Sequence, residues 1–351
     1  MAAAAASAPP IVVTGSRNGV VETRHRGHAV VTDRTGAIVW SLGDPTSISY
    51  PRSALKPFQV LPLLLSGAAE AYGFTDAEIS LMCGSHSGEV RHVDAVRGIL
   101  AKAGLEEGEL QCGAHWPLGQ AAGEAVLRSG GAISALHNNC SGKHAGFLAF
   151  CKHQGLDRVA YLHHSHPLQA AIRAELCHFA GLREEELHAG TDGCSAPAYA
   201  LPLAAMARAF CALGQPQACA RREAARARVQ RAVTSHPFFV AGTGRFCTHL
   251  MTVLQEQGVL GKLGAEGFYA LSLPHRSLGL AVKVECGSTG PQYALVCAIL
   301  AALGVLDGAA AAALGDFASA PVRTAAGVRI GSREAVLEPE MLEGLAALSP
   351  P

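Results

Sequence analysis

Three short stretches carry side chains whose types and spacing can do chemistry. In YPRSALKPFQ (50–59), Ser53 and Lys56 stand three residues apart between two prolines. A serine beside an uncharged lysine is a nucleophile–base pair for acyl transfer. The prolines place it: Pro57 lacks an amide hydrogen and is tolerated only in a first helical turn, and Pro51 disfavours helix before it. A helix starting at or just after Ser53, tightened by Pro57, puts the hydroxyl at the positive end of the dipole with Lys56 on the same face. A solvated lysine titrates at ~10.4, so burial or a second cation must lower it. The plain alternative is a capping serine with a solvated lysine.

The second stretch, MCGSHSGEVRH (82–92), is not a nucleophile elbow, because the centre of GSHSG is His86. Either Ser85 is a second hydroxyl facing a substrate, or the segment is a glycine-rich turn with Ser87 capping the next helix. The third feature is a pair of loops, HNNCSGKHAGFLAF (137–150) and GTDGCSAPAYALPL (190–203), the latter entering a helix near Pro197. If they converge, Cys140, Lys143 and Cys194 meet. Two thiolates suit Zn²⁺, whereas a lysine ligand must first lose its proton. YLHHSHPLQ (161–169) reads as Ser165 capping a helix opened by Pro167, with exposed histidines. AGTGRFCTHLM (241–251) fits neither a dinucleotide fingerprint nor a P-loop; Arg245 either clamps a carboxylate through its fork or lies on the surface.

The elements that must position these groups form two textures. Residues 11–42 alternate as β structure broken at RNG and RTG, and strands return in GFYALSLP and LGLAVKVECG. Between them, from 52 to about 235, the chain is alanine-rich and helical. Strands at both ends predict an α+β fold: a mixed sheet from N- and C-terminal strands with a helical lobe between. Residues 1–10 read as a flexible tail and 11–351 as a single catalytic domain, with a sheet lobe of about 11–50 and 236–351 and a helical lobe of about 51–235.

Composition narrows the class. The 351 residues are 49% hydrophobic and 16% charged with net charge zero, which offers no electrostatic reason to bind nucleic acid or an anionic membrane. No apolar run is long enough to span a bilayer, and MAAAAASAPP lacks the pattern of a signal peptide. Eleven cysteines without CxxC spacing then read as reduced thiols in a cytoplasmic protein. Cys151, Cys177, Cys211 and Cys297 sit in apolar surroundings, Cys140 and Cys194 among polar ones.

Together the motifs resemble the rhizobial-type (class 3) L-asparaginase family. The resemblance rests on VVETRHRGHAVV, PRSALKPFQ, GSHSGE, HNNCSGKHAGFL, TDGCSAPAYALPL, AGTGR and KLGAEG, in consistent order from about 12 to about 290. It implies a fold like serine-dependent glutaminases and serine β-lactamases, a homodimer, and hydrolysis of L-asparagine to L-aspartate and ammonia. It pairs Ser53 with Lys56, and Ser85 with a lysine distant in sequence, best matched by Lys262 in KLGAEG with Lys283 in AVKVECG as the fallback. It also implies a zinc among Cys140, Lys143 and Cys194 that orients substrate. On this reading one serine forms an acyl-enzyme, with Ser53 favoured and Ser85 relaying protons, while Lys56 and Lys262 depress each other's pKa. Arg52, His144 and Asp192 are the candidates to hold the substrate's charged ends. The alternatives are a glutaminase-like or other Ser–Lys amidohydrolase, and a non-enzymatic zinc-dependent amino-acid sensor.

Overall fold

The computed structural model describes residues 8–348, so residues 1–7 of the expected tail lie outside the described residues. Pro9 and Pro10 are tied down, their carbonyls accepting from Arg26 Nη1 and Gly27 N. Strand β1 (Ile11–Arg17) turns through Asn18 and Gly19 into β2 (Val20–Asp33). Both turn residues have positive φ, 48° and 81°, the geometry an Asn-Gly pair supplies in a two-residue hairpin. β3 (Ile38–Leu42) folds back along the second half of β2.

The central region is helical, but it also holds a small sheet of β4 (Ile48–Ser49), β5 (His188–Thr191) and β6 (Pro197–Pro202), in the order β4-β6-β5. The helix expected near Pro197 is thus a strand, and the helix begins at Leu203. β6 is buried almost throughout and hydrogen-bonded on both edges, so its apolar run carries no alternation to betray it. The helix Pro167–Ala180 opens at the expected proline, capped by the buried His166 rather than Ser165.

The C-terminal part supplies β7 (Leu260–Leu263), β8 (Phe268–Leu273), β9 (Leu278–Val284), β10 (Ser319–Arg323) and β11 (Arg329–Ala335). The main sheet runs β10-β11-β1-β2-β9-β8-β7, with β3 also on β2, and every pairing is antiparallel. The β2–β9 pairing, Val30 opposite Ala281, joins the two ends of the chain into one α+β fold. Helix Leu203–Leu213 packs on β2, β8 and β9, and helix Pro291–Ala302 on β1, β8, β9 and β11. β8 is buried at every residue, which requires cover on both faces. No helix among the described residues is long and apolar enough to cross a membrane.

Candidate active site

Ser53 lies in a 3₁₀ turn, Arg52–Leu55, that runs into a short α-helix, Lys56–Gln59, with Pro57 in its first turn. Arg52 has φ of 51°, a left-handed backbone that a non-glycine residue adopts only when its surroundings hold it there. What holds it is a forked ion pair to Asp192 Oδ1, from Nε at 2.8 Å and Nη2 at 2.6 Å. Phe58 anchors the next turn between Phe179 and Phe210, with ring centroids 5.6 and 5.5 Å away. Burial of this kind stabilises by roughly 3–5 kcal/mol against truncation to alanine. On the other side, β7 leads to Gly264, where a Cβ would stand 2.3 Å from the Pro51 carbonyl; only glycine lets the strand end approach the serine turn so closely.

Lys56 and Lys262 are each 1% exposed, and both aim at Ser85. Ser85 Oγ lies 3.0 Å from Lys56 Nζ and 3.1 Å from Lys262 Nζ. Lys56 also donates to the carbonyls of Gly84 and Asn139, and Lys262 to that of Leu263. Gly84 is required here, because a Cβ would lie 2.5 Å from the Phe239 carbonyl. Burial pushes the Lys262 amine down to about 7; the positive charges of Lys56 and Arg245 push the same way, and the Cys247 thiol opposes them. The fallback, Lys283, is half-buried and donates to the carbonyls of Glu266 and Val284, away from either serine.

Lys56 therefore donates to Ser85 rather than forming a hydrogen bond with Ser53, its neighbour in the motif. Ser53 is half-buried and faces the same cleft as Ser85, a space of about 420 Å³ also lined by Leu118, Asn139, Arg245, Thr289 and Tyr293. Asn139 is fixed by His115, whose Nε2 accepts from its backbone N–H at 3.0 Å and lies 3.2 Å from its side-chain oxygen. Tyr293 is held by a stacked contact with Phe246, centroids 4.4 Å apart. Neither Asn139 nor Tyr293 stands out in the sequence. Asn139 is one polar residue in a polar run, and Tyr293 sits in an apolar helix that reads as core.

The second cluster lies at the start of helix Ser141–His153. Lys143 Nζ is 3.1 Å from Cys194 Sγ, and the Cys140 thiol is hydrogen-bonded to the same sulfur. That bond pulls Cys140 well below the ordinary thiol range against burial, and raises Cys194. Burial acts to lower Lys143, but the two sulfurs and Asp192 outweigh it and hold the ammonium above its ordinary range. His144 is fully buried, with Nδ1 2.7 Å from the Tyr161 hydroxyl and Nε2 without a hydrogen-bond partner. Burial lowers this imidazole to about 4, and the nearby Cys194 sulfur partly opposes it. Of the three residues expected to meet substrate, His144 is fully buried against Tyr161, while Arg52 and Asp192 pair with each other. None of the three lines the cleft.

No three His, Cys, Asp or Glu side chains among the described residues are grouped to hold a metal, so a metal here needs Lys143 as the third donor. The two thiols, one of them held well below its ordinary range, are soft donors of the kind that suit Zn²⁺, and Lys143 joins them only after its ammonium gives up a proton.

The β-lactamase Mb2281c of Mycobacterium bovis is 14% identical with a TM-score of 0.39, over 78% of this chain and 94% of that one. The glutaminase Mglu, in its native form at 4.3 M NaCl, is 16% identical with a TM-score of 0.42, over 81% of this chain and 62% of Mglu. Likenesses this distant do not speak to activity. No curated protein matches the sequence. The model of the L-asparaginase II family, in contrast, matches residues 13–335, a span that includes both serines, both lysines and the thiol cluster. The chain belongs to the L-asparaginase II family and is an amidohydrolase.

Proposed function

We propose that the protein is an L-asparaginase that hydrolyses the side-chain amide of L-asparagine to L-aspartate and ammonia through an acyl-enzyme. The observation that carries this reading is a serine oxygen within hydrogen-bond reach of two buried lysine amines, one of them titrating at about 7. A carboxamide is a poor electrophile and needs both an activated nucleophile and stabilisation of the oxyanion.

In this mechanism the neutral Lys262 amine accepts the Ser85 proton as Oγ bonds to the amide carbon. The tetrahedral intermediate collapses with cleavage of the C–N bond, and the nitrogen leaves as ammonia carrying the proton returned by Lys262. Water then attacks the ester, giving its proton to Lys262, which returns it to Ser85 Oγ as L-aspartate departs. Lys56, donating to Ser85 and to two carbonyls, fixes the oxygen's position and keeps positive charge beside it. A second reading is favoured by the greater openness of Ser53: that hydroxyl attacks, and Ser85 relays its proton to Lys262. The Arg52–Asp192 pair positions the Ser53 turn in either case.

Zinc held by Cys140, Lys143 and Cys194 is part of the proposal; its binding would release both the proton remaining on the thiols and one from the Lys143 ammonium. When bound it supplies a fixed positive charge that orients the substrate. The protein's own residues carry the bond-breaking steps. A homodimer in the cytoplasm, with no nucleic-acid or membrane partner, completes the reading. Membership in a hydrolase family argues against a pure sensor.

The test is intact-protein mass measurement during turnover of a slow asparagine analogue, followed by peptide mapping. An acyl adduct on Ser85 is expected, and an adduct on Ser53 would establish the second reading. Turnover that survives both Ser53→Ala and Ser85→Ala would rule out the covalent route. Ammonia release from glutamine equal to that from asparagine would make it a broader amidohydrolase.

A further inference from the structure

The cleft that holds Ser53 and Ser85 has a marked electrostatic asymmetry. Among its described lining residues none is acidic, and Arg245 alone carries a formal charge. Arg245 is half-buried at the start of helix Phe246–Val253. Its side-chain partner is a hydroxyl, with Nη1 3.4 Å from Ser87 Oγ, and it forms no ion pair among the described residues. The nearby acid, Glu89, is occupied by Thr243, whose backbone amide and hydroxyl each donate to it at 2.8 Å. A guanidinium that is partly desolvated and lacks a carboxylate has forked donors to offer a planar anion. Arg52, the residue before Ser53, is closed off by Asp192.

We infer that Arg245 is a specificity-determining residue that anchors the α-carboxylate of the substrate, so that the enzyme selects free amino-acid amides carrying that carboxylate. The inference rests on the asparaginase reading and adds the group by which substrate is recognised. With no acid lining the cleft, the carboxylate is the principal handle and the α-ammonium contributes less. An asparagine inside a peptide, whose carboxylate has become an amide, would leave Arg245 without an anionic partner and is discriminated against. Arg245 also contributes positive charge at Lys262. A bound carboxylate therefore offsets part of that charge next to the base.

The test compares wild type with Arg245→Met at pH 9, well above the value of about 7 to which the Lys262 amine is lowered in the wild type. Three amides are used: L-asparagine, succinamate (carboxylate without amine) and 3-aminopropanamide (amine without carboxylate). A charge-assisted hydrogen bond lost from binding corresponds to about 10- to 100-fold. The variant should lose about that much kcat/KM on L-asparagine and succinamate, mostly through KM, with a loss on 3-aminopropanamide at least about tenfold smaller. Arg245→Lys, which keeps the charge but not the fork, should fall between. Equal losses on all three amides, or no loss on the two carboxylates, would overturn the inference.

Should wild type hydrolyse none of the three, the asparaginase reading fails but the anchor is still decided by calorimetric binding of succinate. Heat lost in Arg245→Met supports the anchor, and heat unchanged or absent in wild type refutes it. If Arg245→Met does not fold, the same comparisons are made with Arg245→Lys, where equal loss on the three amides is again the overturning result.

Discussion

Two buried lysines of this protein, Lys262 and Lys143, are 1% and 3% exposed, and their surroundings drive them in opposite directions. Burial alone disfavours the ammonium in both. Around Lys262 the nearest cations, Lys56 and Arg245, reinforce burial, and the amine falls to about 7. Around Lys143 the sulfurs of Cys194 and Cys140 and the Asp192 carboxylate overcome burial, and the ammonium is held. The same side chain is a base in one cluster and, with no metal bound, a charge in the other. Neighbours, more than depth, decide which role a buried lysine can take.

The contrast is broken most severely at the base. Lys262→Met should reduce kcat by about 10²- to 10⁴-fold, the usual worth of a general base, and Ser85→Ala by a similar factor. Steady-state ammonia release measures both. A Lys262→Met variant within tenfold of wild type would show that the low-pKa amine is not the base.

The thiol cluster should respond differently. Removing metal with a chelator, or substituting Lys143→Met, is expected to raise KM about tenfold while kcat falls less, as loss of substrate positioning would. Metal content by mass spectrometry should fall in step. A kcat that collapses with KM unchanged would move the metal from orientation into the chemical step.

The pH response separates the clusters further. Protonation of Lys262 should draw kcat/KM down as pH falls through about 7. Stability follows with a definite sign. The folded amine titrates at about 7 and the unfolded one at ~10.4, so between those values the unfolded chain binds more protons. Stability should rise with pH across that window and the cost of the buried amine should be fully present below it. In chemical denaturation at several pH values, Lys262→Met should flatten this slope. The smallest effect is expected from Lys283→Ala, whose amine meets only backbone carbonyls: under about twofold on kcat/KM.

The sequence reveals the sheet better than the site. Alternation and the RNG turn expose the β1–β2 hairpin, and the return of strand character near 268 and 278 implies the sheet that closes through Val30 and Ala281. β6 is hidden because a strand buried on both faces has no period. Proximity in the SxxK motif suggests that Lys56 serves Ser53. The 3₁₀ turn and the left-handed Arg52, set by the distant Asp192, instead leave Lys56 on Ser85. His144 is misleading for a related reason. Helix Ser141–His153 is buried from Ser141 through Cys151, so its pattern does not tell which side chains face a cleft. What the local sequence lacks is the direction of each side chain, which only tertiary packing supplies.

The most direct measurement is the titration of Lys262 itself, by NMR of protein carrying ¹³C at the lysine ε-carbons, with Lys262→Met to assign the resonance. A midpoint near 7, with Ser85→Ala leaving the amine buried and still titrating well below 9, is the expected result. A midpoint at the ordinary value of ~10.4 would contradict the proposal that an uncharged amine stands ready beside the Ser85 oxygen.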